Sequence, residues 1–157
     1  MKEEDADAAE EAGIRLLARR EHAGRELRGK LLQRGHDGAA IELALKRLRE
    51  RGYLSDARFA EEFIRRRYEQ GYGPLRVLAD LQARGVDEDL YRPLIDRPEC
   101  DWHAQALAQK RRRFGAGPPA DRRERARQGR FLAGRGFTAD QVRRAVDETG
   151  APSRAVE

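Results

Sequence analysis

Apolar residues along this chain recur in a phrase that is written three times. Leu31, Leu81 and Leu132 are each followed four positions later by a glycine, at Gly35, Gly85 and Gly136, and each glycine has an arginine before it. Next come one residue and a cap, His36-Asp37, Val86-Asp87 and Phe137-Thr138. Ile41, Tyr91 and Val142 stand four places past those caps, and Leu45, Ile95 and Val146 four places further on. Spacings of this kind put side chains on one face of a helix. The phrase therefore predicts a helix end, a tight turn and a new helix.

The polar positions agree with that reading. An arginine near a helix C-terminus offsets the partial negative charge of the dipole. The glycine after it supplies the left-handed backbone that a side chain penalises. Asp and Thr accept hydrogen bonds from the orphan N–H groups of the next helix. The residue before each cap should staple onto the one four places after it, pairing His36 with Ile41, Val86 with Tyr91 and Phe137 with Val142. Gln141 stands three places after Thr138 and completes a capping box.

A third helix fills each interval. In the middle unit Ser55 caps it, Leu54 staples to Phe59, and Phe59, Phe63 and Ile64 form its buried stripe before Gly71-Tyr72-Gly73-Pro74 ends it. Ile14, Leu17 and Ala18 take that part in the first unit, ahead of a break near Glu21-His22. Trp102, Ala106, Leu107 and Phe114 take it in the last, ahead of the Gly-Pro break at 115–119. The predicted fold is all-α, with three tandem three-helix repeats over 12–52, 53–97 and 98–149 in an elongated or curved helical-repeat architecture. Residues 1–11 form an acidic N-terminal tail or an extension of the first helix, and 150–157 a C-terminal tail. Repetition has a physical reason, since one unit buries too little alone and stacked neighbours supply the rest.

Composition supports thin units over a thick core. Charged residues and the apolar class each make up 39% of the 157 residues, and much of the apolar class is alanine. The net charge of +5 is unevenly spread. Residues 1–11 carry −5, 12–52 carry +6, 53–97 carry −1 and 98–149 carry +5. Two basic thirds around a neutral middle suit a polyanion or an acidic protein surface. Only four of the 33 basic residues are lysine, so genome composition is a competing source of the arginines. A single cysteine, Cys100, excludes an internal disulfide framework. With no signal-like or membrane-spanning apolar run, the expected setting is the cytoplasm.

No catalytic constellation emerges. His22, His36 and His103 lack metal-ligand spacing. Cys100 lies between Glu99 and Asp101, which disfavour a thiolate. The glycines of "GYGP" and "GAGPP" follow no strand and open no phosphate-binding signature. The chain is expected to be no enzyme, with no cofactor, metal or small-molecule substrate. Basic clusters are the better candidates for contact with an anionic partner. Arg65, Arg66 and Arg67 end one helix, and Lys110, Arg111, Arg112 and Arg113 hold the same place in the last unit. The segment "DRRERARQGRFLAGRG" adds Arg122, Arg123, Arg125, Arg127 and Arg130 on a helix with few firm apolar contacts. Aromatic residues are few and are not interleaved with these arginines along the chain, so base stacking is not indicated.

The stretches "RLLARREHAGRELRGKLLQRG", "GYLSDARFAEEFIRRRYEQGYGPLRVLADLQARGVDEDL" and "RQGRFLAGRGFTADQVRRAV" resemble the RecX family, bacterial regulators of the RecA recombinase. The resemblance covers residues 10–149. It implies tandem three-helix units that bind the RecA–DNA filament and limit its growth, ATP hydrolysis, strand exchange and co-protease activity, with no chemical step of their own. Two departures stand out. Ala23-Gly24 replaces the serine cap common after "R-E-H", which weakens that helix start, and His36 replaces the usual apolar residue of the first turn. Direct binding to DNA phosphates, single- or double-stranded, is the alternative, because helix–turn–helix units also read DNA.

Overall fold

A computed structural model of the chain describes residues 2–148; the proposed C-terminal segment 150–157 lies outside them. Among the described residues there are nine α-helices and no strand. They are α1 (Lys2–Arg19), α2 (Gly24–Gln33), α3 (Gly38–Glu50), α4 (Asp56–Glu69), α5 (Pro74–Ala83), α6 (Glu88–Ile95), α7 (Trp102–Phe114), α8 (Arg122–Gly134) and α9 (Ala139–Asp147).

The repeated phrase folds the same way each time. Gly35, Gly85 and Gly136 have φ of 91°, 76° and 102°. In all three turns the N–H after the glycine donates to the carbonyl of the leucine, His36 to Leu31, Val86 to Leu81 and Phe137 to Leu132. This bond closes the helix end and feeds the chain into the next cap. Asp37 and Asp87 accept backbone hydrogen bonds from the new helix, and Thr138 with Gln141 makes the full capping box.

The helices form two compact units, Met1–Glu62 with Leu81–Arg92 and Phe63–Asp80 with Pro93–Glu157. Repeats of sequence thus number three, whereas compact units number two, and the divisions fall within α4, α5 and α6. In the first unit α1 packs chiefly on α3. Its core joins Ala9, Ala12 and Leu16 to Leu27, Leu31, Ile41, Ala44, Leu45, Leu48 and Leu54. This corrects the stripe expected on α1. Ile14 and Leu17 only flank that core, Ala18 is exposed, and the buried face is a run of small residues that begins with Ala6 inside the acidic segment. Small side chains let the helices approach closely. A Cβ on Gly13 would sit 2.7 Å from Leu48 Cδ1.

The acidic start is therefore an extension of the first helix, held to α3 by charge as well as by packing. Arg47 meets Glu3, Asp7 and Glu10, and Arg51 meets Glu10. Asp5 accepts from His36 Nδ1 at 3.0 Å and from the Asp37 N–H at 2.9 Å. Those bonds hold its carboxyl below the usual carboxylate range. The two departures are thereby compensated. His36 is tied to α1, and the α2 start has a cap from a distant residue, with the Gly24 N–H donating to Asp56 Oδ1 at 2.7 Å.

In the second unit α7 packs on α9 and on α8. Trp102 is buried, donates from Nε1 to the Ile95 carbonyl at 2.7 Å, and meets Tyr68 edge-on at 5.0 Å. The "GYGP" break rests on the third turn. The Gly73 N–H donates to the Arg135 carbonyl and the Leu75 N–H to that of Gly136, each at 2.9 Å. A Cβ at Gly73 would lie 2.3 Å from the Gly136 carbonyl carbon and from the Phe137 nitrogen, so only glycine fits there.

Candidate functional site

Every arginine and lysine singled out from sequence as a partner contact lies in the second unit, between Arg65 and Arg130. Backbone contact between the 72–75 segment and the 135–136 turn draws together side chains that are far apart in sequence. The result is a run of alternating rings and guanidinium groups. Arg67 lies over Phe63 at 5.0 Å and over Tyr72 at 5.5 Å. Tyr72 also carries Arg76 at 4.6 Å and Arg135 at 5.1 Å. Arg135 continues to Phe131 at 5.4 Å, and Arg113 lies over the same ring at 4.5 Å. Phe131 meets Phe114 edge-on at 5.6 Å, and Arg127 lies over Phe114 at 4.9 Å.

The ring quadrupole attracts each guanidinium face, by about 0.5–1 kcal/mol where exposed. A stacked guanidinium keeps its charge and its N–H edge, which suits it to carboxylate or phosphate. The structure adds what the sequence order of the aromatics does not show. Rings and arginines do not alternate along the chain but do alternate in space, and Tyr72, Arg76 and Arg135 join the site unforeseen. The legible signals were Tyr72 inside "GYGP" and Arg135 as the arginine of the third turn. The faces of these rings already hold cations, so the surface offers guanidinium edges more than open platforms for bases.

The other candidates divide by partner. Lys110 is not a surface contact, which corrects its selection. It is fully buried, with Nζ 2.6 Å from Glu148 Oε2 and hydrogen-bonded to the Gly117 carbonyl. Burial of an ammonium requires that counter-ion, so its place in the basic run disguised a structural role. Arg111 shares Glu148, at 2.8 Å. Its hydrogen bond and that of Lys110 hold the Glu148 carboxyl down at about 2. Arg125 pairs with Asp147, Arg65 with Glu69 at 3.6 Å, and Arg127 with Glu124 at 3.0 Å. Arg66 is exposed on α4.

Arg112, Arg122, Arg123 and Arg130 are exposed and meet no carboxylate or ring among the described residues. The first two positions of α8 are the unexpected ones. Asp121 caps the helix by accepting from the Glu124 N–H at 2.8 Å. Arg122 and Arg123 then stand in the first turn, where the dipole opposes positive charge. The dipole that accounts for arginines at the ends of α4 and α7 cannot account for these.

Burial, and then the Glu99 charge, push the Cys100 thiol up. No group of His, Cys, Asp and Glu among the described residues could hold a metal ion, and no helix among them is long and apolar enough to cross a membrane.

Three family models match the chain in order. They are described as the first, second and third three-helix domains of RecX, and they match residues 3–48, 55–92 and 99–146. Among curated proteins, the regulatory protein RecX of Halorhodospira halophila is 52% identical over 141 residues, covering 90% of this chain and 88% of the relative. That of Acidithiobacillus ferrooxidans is 49% identical over 133 residues, covering 85% of each. Among solved structures, RecX from Lactobacillus salivarius superposes with a TM-score of 0.78 at 16% identity, covering 92% of this chain and 96% of that one. At that identity the likeness speaks for the fold.

Proposed function

The chain belongs to the RecX family of regulatory proteins, and from that premise we propose that it binds the RecA recombinase or its DNA filament and inhibits it. Filament growth is the step restrained, and ATP hydrolysis, strand exchange and co-protease activity fall with it. The setting is the cytoplasm, and the role is modulation of DNA repair and the SOS response. No bond is made or broken by the protein, and no cofactor is required.

One observation carries this reading. Arg122, Arg123 and Arg130 project from α8 without a carboxylate among the described residues, the first two against the helix dipole. A folded chain gains little from such an arrangement, whereas an anionic partner relieves it. The stacked row of Arg67, Arg76, Arg135, Arg113 and Arg127 supplies further cations already held in place, which lowers the ordering cost of binding.

The same arginines favour a second reading, non-specific binding to DNA phosphates. That binding weakens with salt with a slope of about −0.9 per phosphate neutralised on duplex DNA. A single experiment separates the two. Single-strand-dependent ATP hydrolysis by RecA is followed while the protein is added well below the recombinase concentration. Inhibition without matching occupancy of naked DNA supports a filament regulator. Inhibition that begins only when the DNA is coated leaves phosphate competition as the activity.

A further inference from the structure

The side of α8 away from the aromatic row borders an apolar groove. At 100° per residue, Arg127 and Phe131 lie on one flank of α8, while Ala126, Gly129 and Ala133 lie on the other. Those three face α9 across a cavity of about 410 Å³. Phe137, Val142 and Val146 also line it, and Phe137 and Val146 are almost wholly buried. The volume is that of a small ligand pocket.

Packing does not demand the small residue at the centre of this wall. A Cβ on Gly129 would meet only Val142 Cγ1, at 3.7 Å, an ordinary contact. Glycine inside a helix costs stability relative to alanine, so the site forgoes helix stability and remains open. Arginines line the rim. Arg125 and Arg143 are there, each beside an acid of the protein's own, Asp147 and Asp140. Arg130 is there too, with no carboxylate among the described residues. An apolar floor beside one arginine with no internal acid, Arg130, is complementary to an apolar side chain flanked by a carboxylate.

We propose that the α8–α9 groove docks an acidic peptide segment of a partner protein, with one bulky apolar side chain seated between Ala126, Ala133 and Val142 and a flanking carboxylate on Arg130. Recognition of this kind draws affinity from the buried anchor and orientation from the rim. The proposal stands apart from the recombinase reading, because its test contains neither recombinase nor DNA.

The probe is a fluorescein-labelled acidic peptide of about twelve residues with one central leucine, titrated into the full chain by fluorescence polarisation. Saturable binding is expected, weaker by about tenfold when the leucine becomes alanine. Gly129→Leu, which plugs the groove and suits a helix interior, should weaken binding as much while leaving circular dichroism and melting intact. Arg130→Glu should weaken it while sparing the fold. Equal binding of the leucine and alanine peptides would reduce the site to charge attraction and overturn the proposal. So would unchanged binding by folded Gly129→Leu, or the absence of saturation. A concentration-dependent dimer of the chain alone, seen by sedimentation and abolished by Gly129→Leu, would assign the groove to a second copy and overturn it as well.

Discussion

The two compact units differ in what holds their arginines, although ion pairs such as Arg111 with Glu148 and Arg125 with Asp147 occur in the second as well. In the first, Arg20, Arg28, Arg47, Arg51 and Arg58 each meet a carboxylate, Glu26, Glu42, the α1 acids for Arg47 and Arg51, and Glu21. In the second, Arg67, Arg76, Arg113, Arg127 and Arg135 lie on aromatic rings. An ion pair cancels charge at its own position; a ring does not. The basic character of residues 12–52 is thus largely answered by the acidic stretch that folds onto it, while the second unit keeps part of its own available, at Arg112, Arg122, Arg123 and Arg130 and on arginines held only by rings. A count of net charge per segment cannot see this difference, because it turns on which acid reaches which arginine.

The largest expected effect breaks the comparison at its functional end. Replacing Arg112, Arg122, Arg123 and Arg130 together by Glu should lower binding to an anionic partner by on the order of 100-fold or more, with melting unchanged because none meets a carboxylate or ring among the described residues. This set is a sharper choice than one including Arg125 and Arg127, whose reversal would also break contacts with Asp147 and Glu124. Reversing Arg28, Arg47 and Arg51 should do the converse, destabilising the first unit and leaving the binding of the folded protein in place. Inhibition assays and thermal melts on both sets check the pattern, and equal loss of binding in the two would dissolve the contrast.

Gly73 tests what assembles the aromatic row. Gly73→Ala drives a Cβ into the backbone of the third turn, at an expected cost of about 3 kcal/mol by urea denaturation. The loss should include the stacking of Arg135 on Tyr72, because the 72–75 segment and the 135–136 turn can no longer meet. Protection from hydrogen exchange should fall in the second unit first.

Acid should loosen the first unit before the second. His22 is buried, its Nδ1 3.0 Å from the Arg20 carbonyl and its Nε2 2.9 Å from Lys30 Nζ. Burial pushes its pKa down. The unfolded chain takes up the proton near pH 6.5 and the folded one resists it, so this stabilisation is complete above that pH and declines below it. Glu148 in the second unit is also depressed, so its contribution is present above about 4.5 and fades toward about 2. Protection factors on α2 amides should drop on acidification from pH 6.5, while those of α7 and α9 hold until the carboxylate range. His22→Gln should remove the earlier step, and a His22→Gln protein that keeps it would place the titrating group elsewhere.

The helices and their turns were legible because their causes are local. A left-handed glycine, a cap and a staple are decided within about ten residues, and Gly35, Gly85 and Gly136 carry all three. The α1 face was misread because alanine is a weak signal, and Ile14 and Leu17 stand out more than Ala9 and Ala12 although they bury less. At the candidate site, α8 was identifiable from its excess of arginine over apolar residues. The roles within it were not. Lys110 is buried because Glu148, 38 residues away, reaches it, and Tyr72 meets Arg135 because two backbone segments touch. Contacts of such separation leave no mark in spacing.

The smallest effect asks whether the three turns are one device in three settings. At Gly136 a Cβ would lie 2.4 Å from Arg76 Cβ and 2.7 Å from its nitrogen, so alanine meets both backbone strain and a clash. At Gly85 it would meet the aliphatic part of Arg25 at 2.6 Å, which can move aside. At Gly35 nothing lies within 4 Å. Gly35→Ala should therefore report the left-handed conformation alone, about 1 kcal/mol, with Gly85→Ala somewhat above it and Gly136→Ala the most costly. Denaturation midpoints of the three alanine variants test the order. Equal losses would mean that the neighbours contribute nothing and that the conformation of the glycine is the whole cost. A stable Gly35→Ala would mean that the repeated turn tolerates a side chain, and that the glycine of the phrase is needed only where another part of the protein presses against it.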